Sequence, residues 1–198
     1  GRAQVISGIA ERCAAVIQAW YPGEEGGNAV ADILYGNVSP SAKLSVSYPN
    51  VELYEPLCYN TSVEKDPRVQ WPFGYGLSYT TFEYSDLQLD AKASTSDKYV
   101  NLTFNVKNTG AMDGEEVVQL YIRDLVGSVT RPVKLLKGFQ KVFLRPGEST
   151  KVTFTITEDM LAFWRKDMTF GAEPGDFHAM VGGSSDTTLQ ASFSLSRK

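Results

Sequence analysis

"KYVNLTFNVKN", Lys98 to Asn108, alternates without a break: Val100, Leu102, Phe104 and Val106 fall on one face, and Asn101, Thr103, Asn105 and Lys107 on the other. A period of two, with apolar residues on one side only, is the pattern of a strand that has one face in a core and one in water. The same period governs "FEYSDLQLD" from Phe82, "EEVVQLYIRD" from Glu115, "VKLLKGFQKVFL" from Val133, "TKVTFTIT" from Thr150, "GDFHAMVGG" from Gly175 and "TLQASFSLS" from Thr188. Turn signals such as Asn108-Thr109-Gly110, Pro146-Gly147 and Pro174-Gly175 separate the runs. Seven short strands across residues 81–198 predict a two-sheet β-sandwich with no helix of useful length.

Upstream the pattern changes about every ten residues, as it does where strands and helices alternate. Ser7 to Arg12 suits a short helix, "CAAVIQAW" from Cys13 a buried parallel strand, Gly26 to Tyr35 a second helix, and "LSVSYP" from Leu44 a short strand. In the second helix Ala29, Val30, Ile33 and Leu34 make one apolar face, with Gly36 and Asn37 as terminators. These residues predict a fragment of an α/β layer over 1–50. Two strands and two helices do not cover both faces of a parallel sheet, so we expect more of this layer upstream. The chain also begins at Gly1 without an initiator methionine, which places the expected natural N-terminus upstream. Residues 51–80, rich in Pro, Tyr, Asn and Gly with no clean period, read as an irregular linker lying on its neighbours.

The composition narrows the function. With 19 basic against 23 acidic residues and a pI near 5.1, no broad cationic field exists to attract nucleic acid or anionic lipid. No apolar run approaches the ~20 residues that span a bilayer, and "GRAQVISGIAERC" lacks the pattern of a cleavable signal. Cys13, Cys58 and His178, the only cysteines and histidine, cannot supply a four-ligand zinc site without carboxylates, so no metal and no cofactor is expected. Whether the two cysteines pair is left open by the sequence. Asn37-Val38-Ser39, Asn60-Thr61-Ser62 and Asn101-Leu102-Thr103 are glycosylation sequons, with Pro40 following the first.

Glu24 and Glu25, adjacent in "PGEEGG", are the carboxylates that invite a catalytic reading. Hydrolysis by a carboxylate pair needs them facing each other across a bond, ~5 to 5.5 Å apart for retention and ~6.5 to 9.5 Å for inversion. Neighbours in sequence diverge, and a helix start favours the ionised form, which is wrong for a general acid. N-terminal capping of the helix is the expected role, with the glycines permitting a tight turn. His178 lies opposite Phe177, Ala179 and Val181 and is expected to be exposed; no Gly-x-Ser-x-Gly elbow accompanies it as the base of a triad. Neither "GEEGG" nor "FGYGLS" has the Lys-Ser/Thr ending of a phosphate loop. Trp20, Trp71, Trp164 and the tyrosines could stack on sugar rings, and Trp71 and Tyr75, in the linker, have the better claim to a surface; packing between domains is the competing role.

"AWYPGEEGGNAVADILYGNVSPSAKLSVSYP" followed by "WPFGYGLSYTTF" resembles the C-terminal part of family 3 glycoside hydrolases. "VKNTGAMDGEEVVQLYIRD", "SVTRPVKLLKGFQKVFLRPGES" and "EPGDFHAMVGGSS" resemble the fibronectin type III-like domain that ends these enzymes. Nearly the whole chain is covered; the departures include Ala42 where relatives generally have Gly, and Ser45 where Pro is common. The resemblance implies that residues 1–50 finish an α/β sandwich domain, 51–80 connect, and 81–198 form the terminal sandwich. It implies a β-glucosidase-like enzyme that takes a sugar from the non-reducing end of a β-linked oligosaccharide or glycoside, with a secreted or periplasmic setting favoured. The family's Asp nucleophile and acid/base Glu precede the region seen here, so no catalytic residue is expected in this chain. The expected partners are the barrel and α/β regions of the same enzyme. A non-catalytic carbohydrate-binding module and a surface mediating homodimerisation are the rival readings.

Overall fold

A computed structural model describes residues 2–61, 65–90, 99–187 and 189–196. The sequon serine Ser62, with Lys98 and Thr188 of the predicted strands, lies outside them. The N-terminal half holds helices α1 (Ser7–Ala10) and α2 (Gly26–Leu34) and a two-stranded ladder, β1 (Tyr48–Pro49) with β2 (Val69–Trp71). The sandwich strands are β3 (Phe82–Leu89), β4 (Tyr99–Asn108), β5 (Gly114–Asp124), β6 (Leu135–Leu144) and β7 (Ser149–Thr157). A single turn α3 (Glu158–Leu161) and a hairpin of β8 (Phe163–Trp164) and β9 (Phe170–Gly171) precede β10 (Gly175–Gly182) and β11 (Leu189–Leu195). All seven predicted sandwich strands are present.

They form two antiparallel sheets, ordered β11-β10-β5-β6 and β3-β4-β7. The alternation read from "VNLTFNV" is realised in β4, where Val100, Leu102, Phe104 and Val106 are buried. Phe154 and Ile156 of the adjacent β7 share this face, and Val118, Leu120 and Ile122 of β5 with Phe177, Ala179 and Val181 of β10 close the core from the facing sheet. Each of these side chains except Ala179 contributes roughly 1.5–3 kcal/mol by leaving water. Phe104 sits at the centre, stacked against Tyr84 and Phe154 with ring centroids 6.1 Å apart in both pairs. The β3 register shifts between Ser85 and Gln88, where Asp86 takes φ 55°; its carboxylate accepts from Ser85 and from Asn105 on β4, local bonds that suit an aspartate to this left-handed backbone.

The turn after β4 is organised by Asn108, which is fully buried. Its amide nitrogen donates to the carbonyls of Met112 (2.8 Å) and Leu144 (2.9 Å), and its oxygen accepts from Thr80 Oγ1 (2.5 Å) and the Gly110 N–H (3.0 Å). "NTG" is therefore a side-chain-built turn that ties the end of the connecting segment to the sandwich.

The α/β layer expected over residues 1–50 is not formed. Residues 13–20, predicted as a buried parallel strand, lie outside any sheet, with 13–19 exposed and Trp20 half-buried. A strand needs a hydrogen-bonding neighbour, and among the described residues none lies beside this segment. Of "LSVSYP" only Tyr48 and Pro49 join a ladder, antiparallel to the linker; Leu44 instead exchanges backbone hydrogen bonds with Gly74 and Tyr75. Helix α2 forms where predicted, but its apolar face is uncovered: Val30 and Ile33 are half-buried, and Leu34 is 65% exposed.

Candidate functional site

The deepest charged group lies where the N-terminal segment meets the sandwich. Residues 42–46 run beside 73–77, with Gly74 N–H donating to Leu44 O (2.7 Å) and Leu44 N–H to Tyr75 O (2.8 Å). Glycines permit this closeness: a Cβ on Gly76 would stand 2.4 Å from Ala42 O, and one on Gly74, at φ +80°, 2.1 Å from Gln119 Oε1. The paired segments thereby reach the outer face of β5. There buried Gln119 donates through Nε2 to Gly74 O (3.2 Å) and Gly183 O (2.7 Å) and accepts from Tyr121 Oη (2.5 Å). Tyr59 stacks on Phe73 at 4.4 Å, meets Tyr121 edge-on and accepts the Leu136 N–H. We expect Gly74→Ala to cost about 2 kcal/mol, since it forces a left-handed alanine against a hydrogen-bonded buried amide; the shift of the urea midpoint checks it.

Glu116 carries the ionic centre. It shares the inward parity of Val118 and Leu120 but lies near the start of β5, at the sandwich rim. Its Oε1 accepts from Tyr84 Oη at 2.8 Å, and its Oε2 is 2.9 Å from Lys43 Nζ, which also donates to Gly76 O at 3.0 Å. The Glu116 and Lys43 side chains retain 6% and 13% of their exposure. A Cβ at Gly183 would stand 2.5 Å from Glu116 Oε1, so a larger residue there displaces the carboxylate. Burial first, then the Glu116 charge and hydrogen bond, push the Tyr84 phenol far above its ordinary range, keeping it a neutral donor. The cluster borders an open cleft of about 500 Å³ lined also by Ser78, Ser184 and Thr187. Asp186, the other carboxylate on the cleft, is exposed and lies 3.5 Å from Lys65 Nζ.

Chemically this arrangement holds rather than reacts. Both Glu116 oxygens are engaged by protein donors, Tyr84 Oη on one and Lys43 Nζ on the other. Partnering by a cation and a phenol is what permits a buried carboxylate at all.

The residues singled out from sequence are dispersed. Glu24 and Glu25 are exposed, and Glu25 occupies the N-cap of α2. Its expected side-chain capping bond is not made: at φ −84°, ψ 9° the backbone is outside the extended region a capping residue adopts, and the carboxylate accepts from Asn28 Nδ2 instead. The glycine requirement at Gly26 is real, since a Cβ would lie 2.3 Å from Pro22 Cβ. His178 is half-buried rather than exposed, because it sits between Arg123 and Ser192 on the neighbouring strands. Trp71 and Tyr75 are half-buried; Trp71 packs edge-on to Tyr48 at 5.7 Å, and Trp20 lies against the same ring. Trp164 is exposed. Cys13 and Cys58 are free and exposed. Among the described residues no group of three or more His, Cys, Asp or Glu could hold a metal ion. Sequence reading missed the Lys43–Glu116–Tyr84 cluster, although an acid with core parity in "EEVVQL" was the available signal.

Residues 1–79 match the glycosyl hydrolase family 3 C-terminal domain, and residues 116–185 match the fibronectin type III-like domain. This chain is a C-terminal part of a family 3 glycosyl hydrolase. It is 40% identical to the periplasmic β-glucosidase of Salmonella typhimurium over 91% of the chain and 26% of that protein. It is equally, 40%, identical to a putative β-xylosidase of Formosa agariphila over 99% of the chain and 27% of the relative. The β-glucosidase of Listeria innocua, solved in complex with glucose, superposes with a TM-score of 0.84 at 30% identity, over 98% of this chain and 29% of that one. A mutant of the same enzyme was solved with laminaribiose and superposes at 0.82. The chain spans about a quarter of the length of these family 3 relatives. Within it, Lys43 belongs to the first family match and Glu116 to the second, so the ionic cluster bridges the two.

Proposed function

We propose that the chain is the C-terminal part of an exo-acting, retaining, β-glucosidase-like glycosidase that hydrolyses O-glycosidic bonds at non-reducing ends. The segment itself is architectural. Residues 1–50 complete an α/β domain, 51–80 lie across the sandwich face, and 81–198 brace both. The uncovered apolar face of α2 and the exposed apolar residues of 13–19 fit a domain whose remaining layers come from elsewhere in the same enzyme. The nucleophile and the acid/base are supplied by those other regions, to which the expected β-linked oligosaccharide or glycoside binds.

The observation that carries this reading is the engagement of Glu116. Among the described residues its side chain is the least exposed of the ion-paired groups, at 6%, and its two oxygens serve a cation and a phenol. Double displacement requires a free nucleophile and a separate proton donor. Purified as these 198 residues, the protein is expected to release no nitrophenol from para-nitrophenyl β-glucoside above the buffer rate. Turnover by the purified segment overturns the proposal.

A further inference from the structure

The hairpin β8–β9 displays an aromatic pair that neither the core nor the Lys43–Glu116 junction uses. Trp164 and Phe170 are direct cross-strand partners, with ring centroids 5.4 Å apart at 60°. They are 63% and 61% exposed. The strand holds Trp164 outward because its neighbour Phe163 is buried on the opposite side, beneath the Arg131 guanidinium 3.9 Å from the ring centroid. The turn between the strands is fixed as well. Arg165 N–H donates to Thr169 O (2.9 Å), the Arg165 guanidinium donates to Ala172 O, and Asp167 Oδ1 accepts from Thr169 Oγ1 (2.7 Å) and N–H (3.0 Å). These bonds fix the backbone turn that carries the pair.

Its position separates it from the junction between the two family segments. The hairpin leads into the start of β10 at Gly175, whereas Glu116 contacts Gly183 just past the other end of that strand, roughly 25 Å away at a strand's rise per residue. The size of the platform limits its occupant. With Met168 of the same turn, 76% exposed, the two aromatic side chains offer roughly 450 Å² of apolar surface, below the ~800 Å² per partner of a stable protein interface, and the two rings alone match one or two pyranose faces. A pyranose presents C–H groups on a face and hydroxyls around its rim. The exposed Lys166, Asp167 and Thr169 supply donors and acceptors beside the rings.

We infer that the Trp164–Phe170 face is a secondary binding platform for a β-linked oligosaccharide, holding glucan chains at a distance from the place of hydrolysis. This rests on the reading that the parent enzyme acts on β-glycosides. Affinity electrophoresis of the 198-residue chain through gels cast with soluble β-glucan tests it. The expected result is retardation that Trp164→Ala and Phe170→Ala each weaken about tenfold, while Tyr54→Ala, which removes a fully exposed ring outside the hairpin, leaves it unchanged. Unretarded wild-type chain, equal retardation of Trp164→Ala, or equal loss in Tyr54→Ala overturns the platform. Hydrolysis of para-nitrophenyl β-glucoside, which carries a single sugar ring, by the natural full-length species reports on the proposed activity independently, so failure of one reading is distinguishable from failure of the other.

Discussion

Glu116→Ala is expected to destabilise the protein by about 4 kcal/mol and to lower its thermal midpoint by about 10 °C. The substitution leaves Lys43 buried without its counter-charge and Tyr84 Oη without its acceptor, at a site where both side chains of the ion pair are nearly inaccessible. Most of the loss comes from the stranded cation rather than from the pair's attraction. The double variant Lys43→Met with Glu116→Leu is therefore expected to recover a large part of it, since an apolar pair of similar volume carries no desolvation cost. Thermal denaturation of the single and double variants decides the matter. A Glu116→Ala change below about 0.5 kcal/mol, the range of an ordinary surface substitution, removes the cluster from any holding role.

Phe104→Ala is expected to cost about 4 kcal/mol by emptying the centre of the sandwich. The ring is 1% exposed and is stacked on two sides, by Tyr84 from β3 and Phe154 from β7. β4 is the central strand of its sheet, paired along most of its length with β3 and β7, so relaxation into the void is restricted. A loss of this size is a large fraction of the ~5–15 kcal/mol that holds a domain together. Guanidinium melts followed by far-UV circular dichroism give the value. A loss under about 1 kcal/mol means that this ring is not packed in the sandwich core.

These two residues illustrate what could be read from the sequence. Phe104 was legible because strand burial follows a local rule: side chains alternate, so Val100 to Val106 reveal which face is covered before any partner is known. The seven strands share this property. Residues 13–20 were misread for the complementary reason. "CAAVIQAW" has the composition of a buried strand, but burial in a sheet depends on neighbours distant in sequence, and none pairs with it here. The family motifs carried the rest of the identification, because glycine positions such as Gly74, Gly76 and Gly183 record close approaches that periodicity does not express.

The ionic junction was half legible. Glu116 breaks the apolar parity of β5 and so stands out as an inward acid, but Lys43 and Tyr84 are 73 and 32 residues away in sequence, counted from their numbers. Only the folded chain joins them. At Glu25 the error was one of backbone geometry: sequence placed an acid at the helix start, while the N-cap dihedrals, φ −84° and ψ 9°, decide whether a carboxylate reaches the free N–H groups.

The central claim, that these residues brace an enzyme whose catalytic groups lie outside them, is tested most directly by the mass of the natural species that hydrolyses para-nitrophenyl β-glucoside and yields peptides from residues 99–187. The account predicts an active species several times heavier than the 21.8 kDa of this chain. An active species of about that mass contradicts it.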